Sequence, residues 1–197
     1  MKSLLLILIS LNLLAQSSYS IRVAYGNVTP SDLGEVLIGN IKTHKYNLKV
    51  LAFDSSYILK RNLYNLPIDI SSNIGIAYFD EANQQNNIYE TTIYIKAHYK
   101  FKNLASRFGF GEGVSYTDDI LTTEYLDAIQ RSDHYSRFLN YLDISFDVDM
   151  GKLLDSKILA STYIGILVKH RSGIFGLIHN VSHGGSNYNT FYLAKDF

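Results

Sequence analysis

The sequence predicts an all-β protein, an eight-stranded antiparallel transmembrane β-barrel. Three observations carry that expectation: long runs of strict alternation, an aromatic content dominated by tyrosine, and a short apolar leader ahead of the alternating part. The chain has 197 residues, with 16 Tyr and 10 Phe but no Cys and no Trp.

The alternation is explicit. Ile68, Ile70, Ser72, Ile74, Ile76 and Tyr78 fall on one face, while Asp69, Ser71, Asn73, Gly75 and Ala77 fall on the other. Ile93, Ile95, Ala97, Tyr99 and Phe101 oppose Tyr94, Lys96, His98 and Lys100. Leu142, Ile144, Phe146, Val148 and Met150 oppose Asp143, Ser145, Asp147 and Asp149. A period of two means strands with one apolar face. Soluble strands have about 5–6 residues, whereas strands that cross a bilayer need about 9–11. The charges on the polar faces predict a paired network inside the barrel, since unpaired buried charges are costly.

Eight strands are expected, at about 21–27, 44–54, 67–79, 89–101, 106–116, 138–150, 158–172 and 187–197. Residues 28–43 carry apolar side chains without clean alternation and leave room for part of a strand. Eight is the smallest usual even count for an outer-membrane barrel, and such a barrel is filled by side chains rather than open as a pore. Closure removes the sheet edges that lipid would not tolerate. With both termini at one end, loops 117–137 and 173–186 lie at the other, long and polar. The opposite end has short turns at 102–105 and 151–157 and a longer one at 55–66. A helix is expected around Thr123 to Arg131, its Asp and Glu solvated. The terminal Phe197 and the aromatic excess fit interfacial girdles. A soluble lipocalin-like barrel is the alternative, because alternation does not say which face turns inward.

Lys2, the apolar run Leu4 to Leu14 and small Ser18 and Ser20 read as a secretory signal peptide, residues 1–20, with the barrel domain at 21–197. No later run is apolar enough for a membrane-spanning helix. The formal net charge is zero, and with no basic stripe a nucleic-acid partner is not expected. The absence of cysteine excludes disulfide scaffolds, thiolate zinc sites and cysteine nucleophiles.

Chemistry concentrates in Ile164 to Gly173. His170 and Ser172 are two apart and share the parity of Ile164, Ile166 and Val168. An imidazole near a hydroxyl supplies the base that serine needs as a nucleophile. If the isoleucine face meets lipid, so does this pair. Lys169 and Arg171, on the other parity, read as solvated rim charges within reach of lipid phosphates. His179 and His183 lack a nearby acid, so no metal site and no cofactor are expected. Gly184-Gly185-Ser186 reads as a turn entering the last strand.

His170-Arg171-Ser172-Gly173-Ile174-Phe175-Gly176-Leu177 on a seventh strand resembles the lipid A 3-O-deacylase (PagL) family. The resemblance extends to Gly184-Gly185-Ser186-Asn187-Tyr188-Asn189-Thr190 and, more loosely, to Asn140-Tyr141-Leu142-Asp143 and Phe108-Gly109-Phe110-Gly111-Glu112-Gly113. It covers the C-terminal half, and the N-terminal half by architecture alone. It implies an outer-membrane ester hydrolase that removes an acyl chain from lipid A in lipopolysaccharide, with no cofactor. Ser172 would be the nucleophile and His170 the base. The family orients its His with a Glu, where Asn187 stands here. The Asn that follows its Ser, implicated in binding the oxyanion, is Gly173 here, leaving a backbone N–H; a second family Asn is matched by Asn180. These departures keep a catalytically inactive barrel with a structural or adhesion role open beside the hydrolase. The sequence leaves the oligomeric state undetermined.

Overall fold

The computed structural model describes residues 18–101, 104–182 and 185–197. Most of the expected signal peptide, residues 1–17, lies outside the described residues, as do His183 and Gly184.

Eight antiparallel strands close in chain order into a barrel, with β1 pairing to both β2 and β8. They are β1 (Tyr19–Thr29), β2 (Lys49–Lys60), β3 (Ile68–Asp80), β4 (Ile88–Phe101), β5 (Ser106–Thr117), β6 (Phe138–Asp149), β7 (Thr162–Ser172) and β8 (Gly185–Asp196). They have 11 to 14 residues, long enough to cross a bilayer. Loops L1 (30–48), L2 (81–87), L3 (118–137) and L4 (173–184) gather at one end, the mouth. Among the described residues there are three short α-helices: α1 (Leu33–Leu37) in L1, α2 (Thr122–Arg131) in L3, and α3 (Met150–Leu153) at the opposite end. Among the described residues no helix is long and apolar enough to cross a membrane.

The apolar parity faces out. Val23, Phe53, Ile76, Ile95, Phe110, Ile166 and Leu193 are exposed on the outside. The interior holds Arg22, Asp54, Lys96, Asp143 and Asp147, all buried. A soluble lipocalin would reverse this polarity, so the barrel has the arrangement that lipid demands. Asp143 binds two cations, Arg22 at 2.6 Å and Lys96 at 2.7 Å. Arg22 also reaches Asp54 at 2.9 Å. The expected network is therefore present, with partners that alternation could not assign. Asp147 pairs with Arg107 at 2.8 Å, and Lys100 with Asp69 at 2.9 Å. Glycine on the inner face of β5 makes this possible. A Cβ on Gly109 would sit 2.5 Å from Lys96 Cε, and one on Gly111 would sit 2.9 Å from Tyr94.

Several boundaries differ from expectation. The second strand runs Lys49–Lys60 rather than 44–54, because its ladder with β1 continues past Phe53 through Ser55 and Ser56 to Tyr57 opposite Tyr19. L1 is correspondingly long, the turn after β2 correspondingly short, and residues 33–37 form α1 rather than part of a strand. β7 begins at Thr162, not 158. Asp149 accepts the backbone N–H of Lys152, capping α3, and the connection runs on to Ser161, a left-handed residue. Tyr19 and Ser20 already belong to β1, where the Phe197 N–H donates to the Tyr19 carbonyl at 2.8 Å. The strand thus starts ahead of the expected cleavage point after Ser20.

Candidate functional site

Alternation along β7 sets the site. Leu167, Lys169 and Arg171 turn into the barrel; Val168, His170 and Ser172 turn out. On β8, Ser186 and Tyr188 face in and Asn187 faces out. The register places His170 opposite Asn187, Ser172 opposite Gly185, and Asn140 of β6 opposite Ser172. Residues opposite one another on a sheet face have Cβ atoms about 4.5–5.5 Å apart. His170 therefore meets Asn187, and Ser172 follows two positions further along the same outward face, at the mouth.

His170 Nδ1 lies 2.7 Å from Asn187 Oδ1. Asn187 Nδ2 donates to the Ser31 carbonyl at 2.9 Å. A carbonyl only accepts, so it selects the amide's NH2 end and leaves Oδ1 for the imidazole. The imidazole must then donate through Nδ1–H, which leaves Nε2 as the free basic nitrogen. This is the tautomer a general base needs.

Ser31 belongs to L1, and no local pattern in the sequence connects it with the site. Thr29, the last residue of β1, sits opposite Asn187. Its hydroxyl donates to the Lys42 carbonyl at 2.8 Å, while the Ser31 hydroxyl donates to the Asn40 carbonyl at 2.8 Å. The Lys42 N–H donates back to the Ser31 hydroxyl at 3.0 Å. On α1, Glu35 pairs with Lys42 at 2.7 Å, and that contact pulls its carboxyl below the usual carboxylate range. L1 is thereby pinned beside β8.

His170, Ser172 and Asn187 line an open cleft of about 370 Å³. Ser31, Leu33, His44 and Lys45 of L1 form one wall, and Thr123, Leu126, Gln130 and Arg131 of α2 another. Arg131 is paired with Asp127 at 2.8 Å. Lys45 brings a cation, with its ammonium 4.8 Å from the centre of the Tyr46 ring.

Behind the cleft, inside the barrel, Lys169 and Arg171 correct the expectation of solvated rim charges. Both are buried. Lys169 Nζ lies 2.5 Å from Glu90, and Arg171 faces Glu90 at 3.8 Å and Glu124 at 3.5 Å. Glu124 corrects the solvated-loop expectation for L3, being 2% exposed. It accepts a hydrogen bond from Ser186 at 2.7 Å. The helix carrying it, α2, starts where expected, and Glu81 of L2 accepts the first-turn N–H of Thr122 at 2.8 Å. Burial raises the Glu124 carboxyl above the usual range, with Arg171 and Ser186 opposing the rise and Glu90 and Glu81 adding to it. Glu124 thus ties α2 to the two strands that carry the site, through the residue between His170 and Ser172 and the residue before Asn187.

Gly173 follows Ser172 directly, and a Cβ there would come within 2.1 Å of the Val181 carbonyl oxygen, so L4 folds close over it. Asn180 is exposed in L4, apart from the residues that line the cleft. Asn140 is 6% exposed and was read only as part of a family pattern; its place beside Ser172 follows from register. His179 Nδ1 lies 2.5 Å from the Ser136 hydroxyl, and its ring leans on Phe138. Among the described residues no group of three or more His, Cys, Asp or Glu could hold a metal ion.

Fold and polarity define the class: a closed eight-stranded antiparallel barrel of the outer-membrane type. The solved structures it is similar to include the outer-membrane enzyme PagL, with a TM-score of 0.59 and 11% identity, covering 90% of this chain and 99% of that one. They also include the outer-membrane protein Ail of Yersinia pestis, determined in a phospholipid bilayer nanodisc, with a TM-score of 0.52 and 6% identity, covering 92% and 100%. At these identities the likeness is one of fold. The sequence matches no protein-family model and no curated protein.

Proposed function

We propose that this chain is a bacterial outer-membrane ester hydrolase of the lipid A deacylase type. It would act on an acyl ester of lipopolysaccharide in the outer leaflet. The observation that carries the reading is the relay Ser31 carbonyl, Asn187 amide, His170 imidazole, which leaves Nε2 basic on the face shared with Ser172. A barrel has little structural reason to hold an imidazole in one tautomer on its lipid-facing side.

In this mechanism Ser172 Oγ attacks the ester carbonyl while His170 Nε2 takes its proton. The imidazolium then protonates the departing sugar oxygen, leaving an acyl-Ser172 ester. Water, deprotonated by the same nitrogen, releases the fatty acid and restores the serine. The oxyanion would find donors in backbone N–H groups near Gly173 and in the Asn140 amide. Lys45 and Arg131 suit the anionic headgroup.

The test is mass spectrometry of lipid A from membranes containing the wild-type protein or Ser172→Ala. Loss of one acyl chain with wild type alone supports the reading. Identical lipid A in both, with the protein folded in the membrane, ends it.

A second reading, a surface barrel without catalysis, draws on Asn187 and Gly173 standing where the resembled family has Glu and Asn. The same experiment separates the two.

A further inference from the structure

L4 is not the polar loop expected for residues 173–186. From Gly173 to Ser182 it contains no Asp, Glu, Lys or Arg. L1 and L3, by contrast, carry Asp32, Glu35, Lys42, Lys45, Asp118, Asp119 and Arg131. At the tip of L4, Phe175 is 93% exposed and Leu177 82%. Two large apolar side chains this open, with no charge beside them, mark a surface that meets something apolar.

The position of the loop says what. L4 continues β7, whose outward side chains Ile164, Ile166 and Val168 belong to the lipid-facing band. It leans outward across β6: His179 packs against Phe138, an outward residue, and hydrogen-bonds Ser136. Val181 is buried against Gly173, so the tip is held away from the barrel by a closed base. The apolar band thus runs up β7, passes the His170 and Ser172 row, and resumes in L4.

We infer that L4 is a membrane anchor, placing Phe175 and Leu177 in the outer-leaflet lipid beside the mouth of the barrel. The apolar side chains of L4, together with the cations that L1 and α2 bring to the cleft, would set the depth at which the cleft meets the boundary between acyl chains and headgroups. The inference rests on the membrane location in the proposed function and is independent of catalysis.

The protein contains no tryptophan, so a single Phe175→Trp reporter reads the depth without background. The variant is reconstituted in phosphatidylethanolamine–phosphatidylglycerol vesicles. Phe191→Trp, on the outward face of β8, serves as the lipid-facing reference. The expected result is blue-shifted emission, quenched by brominated acyl chains and weakly by aqueous iodide. Leu177→Trp should agree, and covers the case in which one variant folds poorly. Emission at the water value with full iodide quenching in both would overturn the anchor and point to a protein partner for the tip. Where Ser172-dependent hydrolysis is present, Phe175→Asp with Leu177→Asp should slow turnover of membrane-embedded lipid but not of a short-chain soluble ester. Equal rates on both would also count against the anchor, while no hydrolysis in the parent protein would count against the hydrolase alone.

Discussion

The backbone carbonyl of Ser31 accepts the side-chain amide of Asn187 at 2.9 Å and so fixes which end of that amide meets His170. An asparagine in place of a carboxylate ordinarily leaves the tautomer of the neighbouring histidine open. Here a loop far away in sequence closes it.

Asn187→Ala removes the orienting oxygen and frees the imidazole to take either tautomer. Turnover should fall by about a hundred- to ten-thousand-fold, with the protein still folded. Asn187→Asp keeps an acceptor for His170 but sets a carboxylate oxygen against the Ser31 carbonyl. Two facing acceptors cost about 1–3 kcal/mol, so L1 should loosen from β8. Limited proteolysis within residues 32–45, faster in Asn187→Asp than in wild type, would register it. Unchanged turnover in Asn187→Ala would remove the relay from the mechanism.

Asn140 stands opposite Ser172, 6% exposed. A donor that meets only the developing oxyanion changes kcat and leaves KM nearly constant. Asn140→Ala should therefore lower kcat by about a hundred- to a thousand-fold. Steady-state kinetics in detergent would check it, and a change confined to KM would assign Asn140 to substrate binding instead.

Asp143 is the common anion of Arg22 and Lys96. Asp143→Ala leaves two buried cations short of a partner. Removing one member of such a cluster costs about 3–5 kcal/mol. The urea midpoint of the refolded barrel should drop accordingly, while replacement of a surface pair such as Glu35 with Lys42 should leave it nearly unchanged.

Glu124 makes stability depend on pH. Its carboxyl is raised in the folded state by burial, so at a pH between the unfolded and folded values the folded barrel binds more proton than the unfolded chain. Lowering the pH through that raised value favours folding. The gain is complete below the ordinary carboxylate value and is lost as the pH rises through the folded one. Arg171 and Ser186 oppose the shift, and Glu90 and Glu81 increase it. Glu124→Gln keeps a partner for Ser186 and should flatten this part of the stability profile, measured by denaturant unfolding at stepped pH. An identical profile in the variant would assign the dependence to another carboxylate.

The sequence by itself determined the barrel. A period of two leaves a strand one apolar and one polar face, and eight such strands in succession have few other ways to pair all their edges. Strands β3 to β6 were legible to within a residue or two for that reason, and so was the face that His170 and Ser172 share with the isoleucines before them; that this face turns outward came from the barrel itself. The second strand and L1 were not legible, because local alternation fades at residues 44–48 and only pairing with β1 shows where β2 ends. Tertiary structure alone decided the partners of the interior charges, since alternation puts Asp143 on the polar face but does not say that this face turns in or that Arg22 and Lys96 will meet it. It also decided that Ser31 orients Asn187, that Glu124 reaches behind His170, and that Lys169 and Arg171 are buried. Those contacts join segments up to 156 residues apart, and closure of the sheet, rather than any local pattern, brings them together.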